Sequence, residues 1–260
     1  MDKQHYQLRQ MRKQFMPRFD AILSDVDGTL IDSESLGKEA FMVVGQDYGL
    51  NISSAEFDET TGWSAKKRFR HFADADRFTS GAPDEKVWLD KLKVYAAMNS
   101  NKIEVLPGVP GFFREMERRG IRIAAVTNSR AETAKTKIAQ LQEFERHLKF
   151  RFTAGDVSAP KPDPEGYKKG AARLGIPKSR IVVLEDSKSG VEAAHAAGIA
   201  CIQIQKDPAE ISDKASLVIG SLGDKRDFDK VMKFMGIEHN LHARIHEDRR
   251  VHKIPVPGMR

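Results

Sequence analysis

Two carboxylates stand two residues apart in Asp25-Val26-Asp27-Gly28-Thr29-Leu30. One can attack an electrophile while the other gives and takes a proton, the division of labour that a covalent hydrolytic mechanism requires. Asp and Gly also form turns, so the pair taken alone reads equally well as a solvated turn. A calcium loop is a third reading, and it fails. Its pattern needs glycine at the sixth position and glutamate at the twelfth, where this chain has Leu30 and Leu36. Farther along, Thr127-Asn128-Ser129 offers hydroxyl and amide donors. Lys161, in Ala159-Pro160-Lys161-Pro162-Asp163-Pro164, offers a cation on a proline-stiffened loop, and Glu185-Asp186-Ser187 offers paired carboxylates suited to a hard cation such as magnesium. Singly, each has a plain explanation as a helix cap or a surface residue. Together they are what phosphoryl transfer needs, because an anionic nucleophile approaches a phosphoryl group only when cations offset the repulsion.

The elements around these residues put them in one place. Strand-like runs are predicted at Ala21–Asp25, Ile121–Thr127, Phe152–Gly155, Ile181–Glu185, Ala200–Ile204 and Leu217–Ile219, and the four polar clusters follow such runs. Helical patterns near 110–119, 131–141, 164–174 and 189–197 lie between the strands, with Gly120, Gly175 and Gly198 placed to end three of them. This alternation spells an α/β fold: a doubly wound parallel sheet, Rossmann-like, with helices on both faces and ligands at the carboxyl ends of its strands. Residues 35–104 break the alternation. They read as helices only, near 35–49, 54–59, 64–75 and 84–98, which predicts an inserted all-helical domain. The expected organisation is a basic arm at 1–19, a core at 20–34 and 105–235, the helical insertion at 35–104, and a basic tail at 236–260.

Composition bounds the function classes. With 260 residues, 40% hydrophobic and 31% charged, the chain reads as globular, and its apolar runs are too short to span a bilayer. The net charge of +6 invites a nucleic-acid reading, but its location argues against one. Residues 1–19 carry five basic side chains against Asp2, and residues 236–260 carry five against three acidic ones, which accounts for the whole surplus. The body is neutral, so the charge describes arms rather than a binding face, and the oligomeric state stays open. The single cysteine, Cys201, sits in an apolar run and is expected to be a buried thiol in a reducing compartment, the cytoplasm or an organelle. The helix-spaced stripe Leu8, Met11, Phe15 and Phe19 is expected to pack on the host protein.

In their order and placement, the four motifs between residues 20 and 222 resemble the haloacid dehalogenase-like hydrolase superfamily, closest to its phosphatase and β-phosphoglucomutase-like branch with a helical cap. That resemblance implies Asp25 as nucleophile and magnesium ligand, and Asp27 as general acid/base that also offers its backbone carbonyl to the metal. It implies Thr127 and Lys161 as holders of the phosphoryl oxygens with Asn128 nearby, Glu185 and Asp186 as the remaining metal ligands, and a cap that closes over the substrate. Dehalogenases of the superfamily lack the second aspartate, so Asp27 favours phosphate esters. The segment Gly62-Trp63-Ser64-Ala65-Lys66-Lys67 is similar to the mutase cap loop, with Gly62, Ser64 and Lys66 as candidate substrate contacts, yet Ala65 falls where mutases carry a phosphate-binding arginine. Arg130 matches a basic residue that grips the distal phosphate in mutases. The expectation is therefore a magnesium-dependent phosphatase of a small phosphorylated metabolite, with a sugar phosphomutase and a non-catalytic interaction module as alternatives.

Overall fold

The computed structural model describes residues 18–60 and 63–237. Gly62, the arm up to residue 17 and the tail from residue 238 lie outside the described residues, and with them most of both basic segments. Six parallel strands form the main sheet: β1 (Ala21–Ser24), β4 (Arg122–Val126), β5 (Leu148–Phe152), β6 (Ile181–Glu185), β7 (Ala200–Ile204) and β8 (Leu217–Ile219). Their spatial order is β5-β4-β1-β6-β7-β8. The chain runs outward from β1 through β4 to β5 and then returns to lay β6 on the other side of β1. The strand order reverses beside β1, and that reversal opens a crevice at its carboxyl end.

Side chains of β1 alternate between the two faces, as the period of a strand demands. Ile22 joins Phe112, Phe113 and Met116 of α5 (Val109–Arg118), Ile138 of α6 (Ala131–Ala139) and Val231 of α9 (Lys225–Phe234). Ala21 and Leu23 join Tyr167 and Ala171 of α7 (Glu165–Leu174) and Val191 and Ala194 of α8 (Lys188–Ala197). The sheet is thus covered on both faces, and Cys201 is buried within β7. Phe19 of the predicted stripe is buried and stacks on Phe234, centroids 5.6 Å apart.

Between β2 (Ile31–Asp32) and β3 (Glu104–Val105) the regular elements among the described residues are helices, α1 (Glu34–Gln46), α2 (Ser54–Asp58), α3 (Ala65–Asp74) and α4 (Glu85–Met98), with a short 3-10 turn and one isolated bridge between Leu50 and Phe78. β2 and β3 pair antiparallel, Ile31 with Val105 and Asp32 with Glu104, so the way in and the way out of the insertion are tied together. Its core is separate, built on Phe41, Phe57, Phe69, Phe72, Phe78 and a fully buried Trp88.

Four elements differ from expectation. The strand predicted at Phe152–Gly155 lies at Leu148–Phe152, because Leu148-Lys149-Phe150-Arg151-Phe152 alternates apolar and basic residues as a half-solvated edge strand does. Thr153 and Asp156 then close a capping box around a 3-10 turn, which takes residues 154–156 out of the sheet. The β2–β3 pair is too short to leave a pattern, and α9 was not anticipated.

Trp88 contacts the rings of Phe41, Phe69 and Phe78 at 5.0–5.4 Å, yet its indole N–H has no hydrogen-bond partner. Trp88→Ala should cost about 3–5 kcal/mol in urea unfolding. Trp88→Phe should cost less than half of that, because it also removes an unsatisfied buried donor.

Candidate active site

Asp25 is the first residue beyond β1, and its amide donates to Leu184 O at 2.9 Å, so strand pairing holds its backbone to the last turn of the ladder. Glu185 ends β6 on one side of it, and Thr127 follows β4 on the other. Lys161 arrives from the loop between β5 and α7. Its amide donates to Asn128 Oδ1 at 3.1 Å, and its ammonium donates to Asp25 Oδ1, to Glu185 Oε1 at 2.6 Å and to Val126 O at 2.8 Å. Three donors meet three acceptors in a side chain only 6% exposed, so this lysine is satisfied and held. Glu185 is held in turn: Oε1 also accepts from Tyr167 Oη at 2.7 Å, and Oε2 accepts from the amides of Asp186 and Ser187 and from Ser187 Oγ.

Two glycines make the close approach possible. Gly28 adopts φ +77°, and a Cβ there would sit 2.3 Å from Asp186 Oδ2. A Cβ at Gly190 would sit 1.9 Å from the Glu185 carboxyl carbon, so α8 can start beneath that carboxylate only without a side chain. Thr29 donates to Asp186 Oδ1 at 3.1 Å, and the buried Gln203 amide donates to Asp186 O at 3.1 Å.

Asp27 belongs to a second network. Its Oδ1 accepts from Ser33 Oγ at 2.5 Å and from the Lys137 ammonium, and its Oδ2 accepts from Ser129 Oγ at 3.1 Å and Thr127 Oγ1 at 3.4 Å. Burial alone would raise its pKa, but Lys137 with the hydrogen bonds from Lys137, Ser33 and Ser129 holds it below the ordinary value. Asp25 moves the other way. Burial raises it well above the usual carboxylate range, Glu185 and Asp186 add to the rise, and Lys161 opposes it. Asp186 is pushed up to about 7, first by burial and then by Glu185. Lys161 is raised despite its burial, because Asp25 and Glu185 both favour its charge.

Carboxylate oxygens of Asp25, Glu185 and Asp186 all lie within 4.8 Å of one another. Three carboxylates face one ammonium in a buried space, and two of them are forced toward the neutral form, first by burial and then by the neighbouring carboxylates. Hard oxygen donors with surplus negative charge fit a divalent cation. The Asp27 carboxylate is outside this group, since it faces Lys137; only its backbone carbonyl would be offered, as the resemblance implies.

The structure therefore brings together Asp25, Asp27, Thr127, Asn128, Lys161, Glu185 and Asp186. Arg130 stands exposed at the start of α6. Two cap candidates are otherwise engaged: Ser64 Oγ caps α3 by accepting from the Lys67 amide, and Lys66 pairs with Glu85 at 2.8 Å. Sequence reasoning missed Ser33, Lys137 and Tyr167. Only tertiary contact reveals them; Lys137 follows Ser129 by eight residues, which singles out nothing on a charged helix.

An α/β sheet whose polar residues converge at the carboxyl ends of its central strands belongs to a broad class of enzymes that hold small ligands at a topological switch point. Within that class a family model described as haloacid dehalogenase-like hydrolase matches residues 22–204, from β1 to β7. The chain belongs to this family and is an enzyme. Among its relatives, the validoxylamine A 7'-phosphate phosphatase of Streptomyces hygroscopicus subsp. limoneus is 28% identical over 211 residues, covering 80% of this chain and 96% of the relative. The phosphorylated carbohydrates phosphatase of Thermotoga maritima is 28% identical over 182 residues, covering 69% and 82%. A crystal structure of a putative β-phosphoglucomutase from Thermotoga maritima superposes with a TM-score of 0.70 at 23% identity, covering 83% of this chain and 99% of that one, which shows the shared fold.

Asp186 sits near 7 in the folded chain against an ordinary 3.8, so between these values the folded state binds more protons than the unfolded one. Stability should then fall as pH rises from about 5 to 7 in the presence of chelator, by an amount on the order of a few kcal/mol. Thermal melts across that window check this. Adding a divalent cation at pH 7 should recover the loss, and a flat profile indifferent to cation would contradict the carboxylate cluster.

Proposed function

We propose that this enzyme is a magnesium-dependent phosphatase of a small phosphorylated metabolite, a sugar phosphate or phosphoglycolate-like ester, acting through an aspartyl-phosphate on Asp25. The observation that carries the reading is the held Lys161 ammonium between Asp25 and Glu185, with Asp186 alongside, at the end of the central strand. Two relatives named as phosphatases of phosphorylated compounds support it.

In this scheme an Asp25 oxygen attacks phosphorus, the bond from phosphorus to the ester oxygen breaks, and Asp27 delivers a proton to the departing alkoxide. Asp27 then takes a proton from water as the water oxygen attacks phosphorus and the bond to Asp25 breaks, releasing phosphate. Lys161 and the Thr127 hydroxyl hold the phosphoryl oxygens, with Asn128 fixing the Lys161 backbone. Magnesium bound by Asp25, Asp186, Glu185 and the Asp27 carbonyl would supply the charge neutralisation that lets two anions meet. In its observed contacts Asp27 is ionised and suits the second half of the cycle; acting as an acid in the first half requires it to leave Lys137. The helical insertion over residues 35–104 serves as a cap, which excludes stray water when it closes. A cytoplasmic setting fits this chemistry; among the described residues no helix is long and apolar enough to cross a membrane. The phosphomutase alternative draws on Arg130 and on the likeness of the 62–67 segment to the mutase cap loop, but Ala65 stands where mutases carry a phosphate-binding arginine, so hydrolysis is the reading adopted.

Asp25→Asn should lower magnesium-dependent phosphate release from an aryl phosphate by about a thousandfold or more, since the nucleophile itself is lost. Phosphate release followed by a colorimetric assay checks this, and activity near the wild-type level would overturn the role given to Asp25.

A further inference from the structure

Among the described residues five large apolar side chains are exposed, and four of them, Val43, Val87, Val94 and Met98, belong to the helical insertion. Scattered singly, such residues need no explanation; gathered on one face, they mark a contact surface. Three stand on α4. At roughly 3.6 residues per turn, Val87, Val94 and Met98 fall within about 40° of one another around that helix. They are 49%, 58% and 78% exposed, while Trp88 is fully buried in the core of the insertion and Leu89, Leu92 and Tyr95 pack against that core. A surface helix ordinarily carries one apolar stripe, turned to its own core. α4 carries two, and the second is turned to solvent.

The spacing of the second stripe says what covers it. Positions 87, 91, 94 and 98 step by four, three and four, the repeat by which one helix seats its side chains between those of another. Lys91 is the polar member of that seam, and it is drawn aside: its ammonium pairs with Asp47 at 3.2 Å and lies 4.6 Å from the Tyr48 ring centroid, just beyond α1. Val43 stands on α1 midway between Asp47 and Glu39, which accepts from Tyr95 Oη, and so widens the apolar surface on that side.

The stripe also complements itself. Laid antiparallel on its own copy, about a two-fold axis between residues 92 and 93, α4 sets Val87 against the counterpart of Met98 and Val94 against the stem of the counterpart of Lys91. On the margin of the stripe, Asp90 then faces the counterpart of Lys93, and the axis repeats every contact. In the single chain Asp90 and Lys93 pair with each other at 2.8 Å, both more than half exposed, so they are free to exchange partners. We propose that the outer face of α4, with Val43 of α1, docks a second copy of this chain as an antiparallel α4 pair. The seam from Val87 to Met98 is about 17 Å long, a short contact, which gives a dimer in exchange with monomer at micromolar concentration. No residue of this face belongs to the Asp25 site, so the inference stands apart from the hydrolase reading.

Sedimentation velocity of the full chain from about 1 to about 200 μM should show monomer passing into a single dimeric species. Val94→Glu combined with Met98→Glu should weaken association by about tenfold or more, and should leave the thermal melt in place because both positions are exposed. The charges test the register. Asp90→Lys alone and Lys93→Asp alone should each weaken the dimer, and an equimolar mixture of the two variants should restore it, since each copy then offers the other the opposite charge at both positions. Should the apolar double variant melt early, this charge exchange decides alone. Monomer across the whole range, association untouched by the Val94 and Met98 changes, or a mixture that associates no better than its components overturns the inference.

Discussion

The ammonium of Lys161 bonded to both Asp25 and Glu185 is the interaction on which the rest of the site depends. Bringing three carboxylates to the end of a buried sheet is unfavourable, and one lysine offsets only part of their repulsion. The raised pKa values of Asp25 and Asp186 record chiefly the burial of these groups and then the repulsion that remains. Such a cluster persists because surrounding structure leaves it no alternative: β1 is pinned between β4 and β6, Gly190 admits the Glu185 carboxylate against α8, Tyr167 holds that carboxylate, and Asn128 holds the Lys161 backbone. Stability is given up locally so that charge stands ready where a phosphoryl group would arrive.

Asp25 and Asp27, though two residues apart, inhabit opposite electrostatic settings. Asp25 is buried beside two carboxylates and is driven toward the neutral form, chiefly by burial, whereas Asp27 faces Lys137, Ser33 and Ser129 and is driven toward the charged one. Splitting two like groups in this way is what the proposed roles of nucleophile and proton carrier would require of one short motif. Ser33 connects this split to the helical insertion, because the residue after it begins α1.

Much of this was legible in the sequence, for identifiable reasons. Buried parallel strands such as Ile181–Glu185 and Ala200–Ile204 are continuous apolar runs, and the polar residues that follow such runs can only stand at the sheet's carboxyl edge. The edge strand was misplaced because its alternation of apolar and basic residues is a weaker signal, and because Thr153 and Asp156 form a turn through side chains. Lys137 escaped notice because it sits among other basic residues on a helix, where spacing does not tell a solvated charge from a buried one. In Lys66-Lys67-Arg68, only packing against Phe57 and Thr60 singles out the last.

Whether phosphate passes through Asp25 is tested most directly by the stereochemistry of hydrolysis at phosphorus. An aryl phosphorothioate made chiral at phosphorus with two oxygen isotopes and hydrolysed in water carrying the third yields chiral inorganic thiophosphate, after two in-line displacements if Asp25 is thiophosphorylated first. The account predicts retention of configuration. Inversion would mean that water attacks the ester directly, and would contradict it.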